Sequence, residues 1–127
     1  MNKIDKVSVI ALTLLGLTQT LLTPFFYDSL TEEAVWFFGS GLALMFLGFL
    51  NLARRQSPRN KPILAMSATA NAIGVLFAMG IVAVHTVPQA VIALFLMVCV
   101  LMATIEQLTA VVEGAELKDG AERKPYV

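Results

Sequence analysis

The sequence predicts an all-α protein, an integral membrane bundle of four transmembrane helices with up-down topology, and its composition and charge distribution support this fold. Hydrophobic residues make up 57% of the 127 residues and charged residues only 14%, against about 25% charged residues in a typical soluble domain. No Asp, Glu, Lys or Arg occurs in 7–27, 34–53 or 62–105. The first two stretches each match the roughly 20 residues of a bilayer-crossing helix, and the third is long enough for two. This composition excludes a soluble enzyme, a nucleic-acid-binding protein and a disulfide-stabilised secreted domain.

The uncharged stretches are predicted to be helices, because lipid offers no hydrogen-bond partners and a helix satisfies its own backbone. A membrane β-barrel would show short segments of alternating hydrophobicity, whereas these stretches are continuously apolar. We expect four spans within one transmembrane domain, residues 1–112, followed by a polar cytoplasmic tail, residues 113–127. The expected spans are about 7–26, 33–53, 62–85 and 88–108.

Local signals mark the ends of the first three spans. Pro24 should bend or stop the first helix. Ser29 and Glu32 have the spacing of a capping box and predict the start of the second helix. Asn60 is the expected N-cap of the third helix.

The fourth span is predicted to begin after a short break that follows His85. Thr86 and Gln89 again have capping-box spacing, and Pro88 lies in the first turn, where a missing N–H costs little. The tail contains Gly114, Gly120 and Pro125, so we expect a frayed helix end and a mobile segment.

The distribution of Lys and Arg predicts the orientation. Four spans place all nine basic residues on one side: Lys3, Lys6, Arg54, Arg55, Arg59, Lys61, Lys118, Arg123 and Lys124. The other side receives Asp28, Glu32, Glu33 and His85, and aromatic residues cluster there at 25–27 and 36–38. The positive-inside rule then places both termini in the cytoplasm. The alternative of a cleaved signal peptide is disfavoured, because the first apolar stretch is long and no A-x-A-like site follows it.

Small residues at helical spacing predict which helix faces pack together, because close approach decides packing in lipid. The second span carries one such face and a neighbouring small pair: Ala34, Gly41, Leu44, Gly48 and Asn51, with Gly39 and Ala43 beside it. The third span carries another: Ser67, Asn71, Gly74, Ala78, Ile81 and His85. The first span offers Thr13, Gly16, Thr20 and Thr23. We therefore expect spans two and three to lie close together at the centre, with the bulky fourth span facing lipid or another copy.

Three polar residues within the spans, Gln19, Ser67 and Asn71, are candidates for a polar pocket. The alternative is that they, like Asn51 near the cytoplasmic interface, form hydrogen bonds between helices, and this structural interpretation is favoured because a neutral amide is tolerated in lipid.

Glu106 ends the uncharged run of the fourth span. A carboxylate in a membrane helix suggests proton coupling, but helix rise places Glu106 near the cytoplasmic surface. An interfacial salt link with Arg54 or Arg55 is therefore the favoured interpretation. His85, near the outer interface, could sense pH, although a simple interfacial role is favoured.

Metal and catalytic sites are disfavoured by composition. One histidine and one cysteine cannot build the usual zinc site, and no Ser-His-Asp set, phosphate loop or carboxylate pair is evident. Cys99 is expected to be a small packing residue. We predict no cofactor.

Three segments resemble a group of uncharacterised small bacterial four-helix membrane proteins. They are Leu22-Thr-Pro-Phe-Phe-Tyr, Ala34-Val-Trp-Phe-Phe-Gly-Ser-Gly-Leu-Ala-Leu and Gly48-Phe-Leu-Asn-Leu. The resemblance implies a bacterial inner-membrane location and no activity. The chain is also similar in size and span number to the small multidrug-resistance transporters, but its first helix lacks their membrane-embedded glutamate and has only Gln19, so their proton-coupled mechanism is not implied.

The favoured function is that of a non-enzymatic membrane protein, an accessory or oligomer-forming bundle whose partners are membrane lipids and either further copies of itself or a larger membrane protein. The alternative is a small transporter or channel acting as an oligomer, which needs a polar stripe across the membrane. An enzymatic function is the third and least favoured of these interpretations.

Overall fold

The computed structural model describes residues 2–122, and this part of the chain is an all-α bundle of four helices. The helices are α1 (Asn2–Phe26), α2 (Glu32–Gln56), α3 (Lys61–Val84) and α4 (Pro88–Glu122). Each is long and apolar enough to cross a membrane. The predicted all-α class and the number of helices are therefore confirmed.

Two of the predicted N-caps differ from the structure, although both helices begin where they were expected to. Thr31, not Ser29, is the N-cap of α2: its backbone is extended and its side chain accepts a hydrogen bond from the N–H of Ala34 at 3.2 Å. At α4, the Thr86 hydroxyl donates to the carbonyl of Val82 instead of capping the following helix. The capping-box spacing is present in both cases, but at α2 the hydroxyl that reaches the N-terminal amides is that of Thr31, and at α4 the Thr86 hydroxyl bonds back to the preceding helix.

The other predicted boundaries agree with the structure. Asn60 caps α3 by accepting from the N–H of Ile63 at 3.2 Å, and Pro88 is the first residue of α4. Pro24 lies in the last turn of α1, which ends at Phe26. At the end of α3, the N–H of His85 donates to the carbonyl of Ile81 at 2.7 Å.

The expected fourth span, about 88–108, is only part of a longer helix, because α4 continues without a break to Glu122. At 1.5 Å per residue its 35 residues extend over about 52 Å. Ala, Glu, Leu and Lys favour helix strongly enough to outweigh Gly114 and Gly120. Residues 123–127 of the predicted tail lie outside the described part.

The closest helix pair is α1 with α2, and α3 with α4 comes next; α2 and α3 have the least extensive of the four main interfaces. Spans two and three are expected to lie close together at the centre; they meet through Asn51 and Asn71, but the more extensive packing is between α1 and α2 and between α3 and α4. The glycines of α2 pack against the threonine-bearing side of α1. That side of α1 has the same helical spacing as the small face of α3, so spacing alone does not tell which of the two helices the glycines contact.

The α1–α2 interface allows no side chain at its glycines. A Cβ on Gly41 would lie 2.5 Å from Oγ1 of Thr20, and one on Gly16 would lie 2.5 Å from the backbone N of Met45. A Cβ on Gly48 would overlap the hydroxyl of Thr13. Gly39, by contrast, has open space around it, so the small pair proposed at Gly39 and Ala43 does not pack against another helix there.

On α3, the predicted small residues contact α4. A Cβ on Gly74 would lie 2.6 Å from Cε of Met97, and Ala78 is buried in a cluster with Leu12 and Met97. The fourth helix therefore contributes Met97 and Val100 to the core, whereas most of its other bulky side chains, including Ile92, Phe95 and Met102, are exposed as expected.

Candidate functional site

Arg54 is the largest fully buried side chain in the described chain, with 1% of its surface exposed. Its Nη2 lies 2.5 Å from Oδ1 of Asp5, and the neighbouring Arg55 places Nη1 2.5 Å from Oδ2 of the same carboxylate. One aspartate at the start of α1 thus holds two arginines at the end of α2. Because a buried charge is tolerated only when it is paired and hydrogen-bonded, this contact holds the start of α1 beside the end of α2.

The same guanidinium continues into a network of amides. Arg54 donates from Nε to Oδ1 of Asn51 at 3.1 Å and from Nη1 to Oε1 of Gln107 at 2.5 Å. Arginine has no acceptor, so the atoms facing it must be the oxygens of these two amides. Nε2 of Gln107 then points to the carbonyl of Pro58 in the α2–α3 loop, at 3.1 Å.

Asn51 and Asn71 form a reciprocal amide pair between α2 and α3. Asn51 donates to Oδ1 of Asn71 at 2.8 Å, and Asn71 donates to Oδ1 of Asn51 at 2.9 Å. Asn71 also donates to the hydroxyl of Thr104 on α4 at 3.0 Å, and that hydroxyl donates to the carbonyl of Val100. We call this set the polar network; its members are Asp5, Asn51, Arg54, Asn71, Thr104 and Gln107. All four helices contribute to it.

A second acid, Glu106, lies close to the polar network but is not a member of its ion pairs. A cavity of about 520 Å³ is lined by Asp5, Arg54, Arg55, Pro58, Ala103, Glu106 and Gln107. Among residues 2–122, the carboxylate that Arg54 and Arg55 contact is that of Asp5. The predicted salt link between these arginines and Glu106 is therefore wrong; Glu106 is exposed, whereas Asp5 is in direct reach of both guanidinium groups.

At the opposite end of the bundle, Gln19 organises a smaller group of polar contacts. Its Nε2 donates to the carbonyl of Phe37 at 2.8 Å and to the hydroxyl of Ser40, and its Oε1 accepts from Nε2 of Gln89 at 2.8 Å. We call this end, with the loops 27–31 and 85–87, the glutamine end. The end that holds Asp5, Arg54 and the loop 57–60 is the arginine end.

The predicted grouping of Gln19 with Ser67 and Asn71 is wrong, because Asn71 belongs to the polar network and Gln19 lies at the glutamine end. Ser67 lies one turn before Asn71 on the same face of α3. Its hydroxyl is buried and has no hydrogen-bond partner among the described residues.

Between the two ends lies a lateral cavity of about 550 Å³, lined almost entirely by apolar side chains of α2, α3 and α4. Leu47, Gly74 and Met97 line it toward the polar network, whereas Gln19 and Gln89 line it at the glutamine end. The predicted packing residue Ala78 is also part of its wall. This space lies beside the least extensive of the four main helix interfaces, that between α2 and α3.

Sequence reasoning missed three members of the polar network: Asp5, Thr104 and Gln107. Asp5 lies between Lys3 and Lys6, so the sequence places it in a charged segment at the start of the first helix. Thr104 and Gln107 are three residues apart in an otherwise apolar helix, so they share a face. That spacing is a usable signal for a polar contact on α4.

Among the described residues, no three His, Cys, Asp or Glu side chains come together as a metal site would require. No known family model matches the chain, and no curated protein or solved structure was found to be similar to it.

Proposed function

We propose that this chain is an integral membrane protein of the bacterial inner membrane, threaded four times in up-down order with both termini in the cytoplasm. Large apolar side chains in the middle of the helices point outward, with exposures of 60% for Phe46, 68% for Leu76 and 68% for Phe95. A soluble monomer rarely exposes such contiguous apolar surface. In a bilayer the same surface contacts lipid.

The orientation is supported by charge. In 2–122, the Lys and Arg residues belong to the arginine end or to the extension of α4 beyond it, whereas the glutamine end has Asp28, Glu32 and Glu33. The positive-inside rule assigns the arginine end to the cytoplasm.

We further propose that the protein acts by binding within the membrane, as a non-enzymatic accessory or oligomer-forming subunit. The main observation in support of this proposal is that the buried polar groups form hydrogen bonds with each other. Asp5, Arg54, Asn51 and Asn71 bond to one another, so they stabilise the helix arrangement. What the bundle offers to its surroundings is apolar: the outer helix faces and the lateral cavity.

A small transporter or channel is less well supported. The polar network and the contacts of Gln19 are separated by an apolar layer that includes Leu12, Leu47 and Met97. A permeation route through one copy would have to cross this layer. An oligomer would need polar residues on its outer helix faces, where large apolar side chains lie.

The test of location uses reporters that are active on only one side of the membrane. Fused after residue 127 or inserted in the loop 57–60, they should report the cytoplasm. In the loop 27–31, the same reporter should report the opposite side. The protein should also stay in the membrane after alkaline carbonate extraction, and release would contradict insertion.

The test of association uses disulfide cross-linking in native membranes. In a Cys99→Ala background, a cysteine at exposed Gly39 or Gly80 should give a cross-linked dimer or an adduct with one partner. A cysteine at exposed Asp119, outside the apolar spans, is the matched control. Purely monomeric protein at every position, with no partner retained in mild detergent, would contradict an associating subunit.

A further inference from the structure

The lateral cavity is as long as one leaflet of a bilayer. It extends from Ala70 to Ile81 along α3, about 16 Å at 1.5 Å per residue. Along α2 it extends from Phe37 to Leu47, about 15 Å by the same rise. Half of the hydrocarbon core of a membrane is also about 15 Å thick.

The cavity is closed toward the arginine end. At that end of the cavity Asn51 of α2 and Asn71 of α3 join the two helices, because their amides bond to each other at 2.8 and 2.9 Å. A transmembrane helix from a partner would need a groove along the whole bundle. This cavity accommodates a chain that enters from one leaflet and stops at mid-membrane.

The cavity has a lateral rim and a single polar end. Ala43, Ile73 and Phe77 line it and are also exposed, so it opens sideways between α2 and α3, where these helices pack least. Its polar groups, from Gln19, Ser40 and Gln89, lie together at the glutamine end. An occupant with an apolar tail and a hydrogen-bonding head matches this distribution.

The charged residues at the glutamine end limit which lipid head groups can bind there. The described residues of the loops at the glutamine end and of the adjoining first turn of α2 include Asp28, Glu32, Glu33 and His85, and no Lys or Arg. Carboxylates repel an anionic head and attract a cationic group. A zwitterionic or uncharged lipid is therefore favoured over an anionic one.

We propose that the lateral cavity binds one acyl chain of a zwitterionic or uncharged lipid from the leaflet at the glutamine end. This rests on the proposed membrane location, and it gives the associating bundle a specific lipid partner. The tail lies against Leu44, Leu47 and Met97, and the head lies near Gln19 and Gln89.

The test uses two phospholipids with a photoactivatable group midway along one acyl chain, a phosphatidylcholine and a phosphatidylglycerol, in proteoliposomes containing the full chain. Mass spectrometry of the cross-linked peptides should place the phosphatidylcholine label on cavity-lining residues. The phosphatidylglycerol label should be several-fold weaker at the same residues. Equal or stronger labelling by phosphatidylglycerol would overturn the choice of head group.

Two alanines of α3 provide a matched pair of variants. Ala70→Phe fills the cavity, whereas Ala83→Phe adds the same ring to an exposed position of the same helix, outside the cavity lining. Cavity labelling should fall about tenfold in the first variant, which corresponds to roughly 1.4 kcal/mol, and change little in the second. Ala43→Phe, at the exposed rim on α2, provides a second filling variant if Ala70→Phe does not fold.

The outcomes separate the two proposals. Protein that resists carbonate extraction but is labelled equally in the filling and control variants would overturn the lipid site alone. Another outcome is that cavity-lining residues become cross-linked to a second copy of the chain and form no lipid adducts. This outcome would assign the cavity to a second copy and overturn the lipid site. Protein released by carbonate would overturn membrane insertion, and the lipid site with it.

Discussion

At the scale of single residues, the most consequential contact is the one between Asp5 and Arg54. Both side chains are buried, and the ion pair joins the first turns of α1 to the last turns of α2. A buried ion pair adds little net stability compared with apolar packing, but removing one partner leaves an uncompensated charge. The sequence alone suggested Glu106 as the acid, because depth along a helix can be counted, whereas the neighbour across an interface cannot.

We therefore expect Asp5→Asn to destabilise the protein strongly, by about 3–5 kcal/mol, because Arg54 stays buried without a counter-charge. Unfolding by denaturant in a mild detergent measures the loss. Asp28→Asn makes the same chemical change at an exposed loop residue and should alter stability by less than about 0.5 kcal/mol. Equal effects of the two variants would mean that Asp5 does not hold Arg54.

Arg54→Lys should also destabilise the bundle, although it keeps the positive charge. A lysine ammonium lacks the planar set of donors that reaches Asp5, Asn51 and Gln107 together. A thermal unfolding curve in detergent should show a lower midpoint. An unchanged midpoint would mean that charge, without the arginine geometry, is sufficient at this position.

At the scale of helices, the glycines decide which surfaces meet. In lipid, helices gain little by hiding apolar surface from one another, so close backbone approach and a few polar contacts control packing. The spacing of Gly41 and Gly48 correctly marked a packing face of α2. It did not identify the partner, because α1 and α3 both present small faces, and only α1 places threonines at the matching positions.

We expect Gly41→Ala and Gly48→Ala to push α1 and α2 apart and to destabilise the protein by about 1–3 kcal/mol, as overpacking does. Gly39→Ala and Gly80→Ala have open space around the new methyl group. They should leave stability unchanged or raise it by up to about 1 kcal/mol, because alanine is the better helix former. The four variants can be compared by denaturant unfolding in one detergent, and effects of the same sign and size at all four would contradict the observed interface.

At the scale of the whole molecule, the bundle has two different ends. The arginine end is tied together by hydrogen bonds from all four helices. The half toward the glutamine end contains the lateral cavity, and there α1, α2 and α4 are connected through Gln19. We infer that α3 is held more firmly at one end than at the other.

Hydrogen exchange should detect this difference within one helix. Backbone amides of α3 near Asn71 should exchange more slowly than those near Phe77 and Ile81, which line the cavity, because local opening is easier where packing is sparse. The measurement belongs in lipid nanodiscs, where both ends are equally shielded from water. Uniform exchange along α3 would indicate that the cavity does not loosen the bundle.

Much of the architecture could be read from composition and spacing. Long uncharged apolar stretches can form only helices if they span lipid, and Asn60 and Pro88 mark helix starts because their chemistry acts on neighbouring residues. These features depend on contacts close in sequence, so the chain alone determined the four helices. Tertiary structure decided the rest: which helix the glycines face, that Asp5 and not Glu106 meets Arg54, and that a cavity remains between α2 and α3. Several helix faces have equivalent spacing, and only their simultaneous packing in three dimensions selects among them.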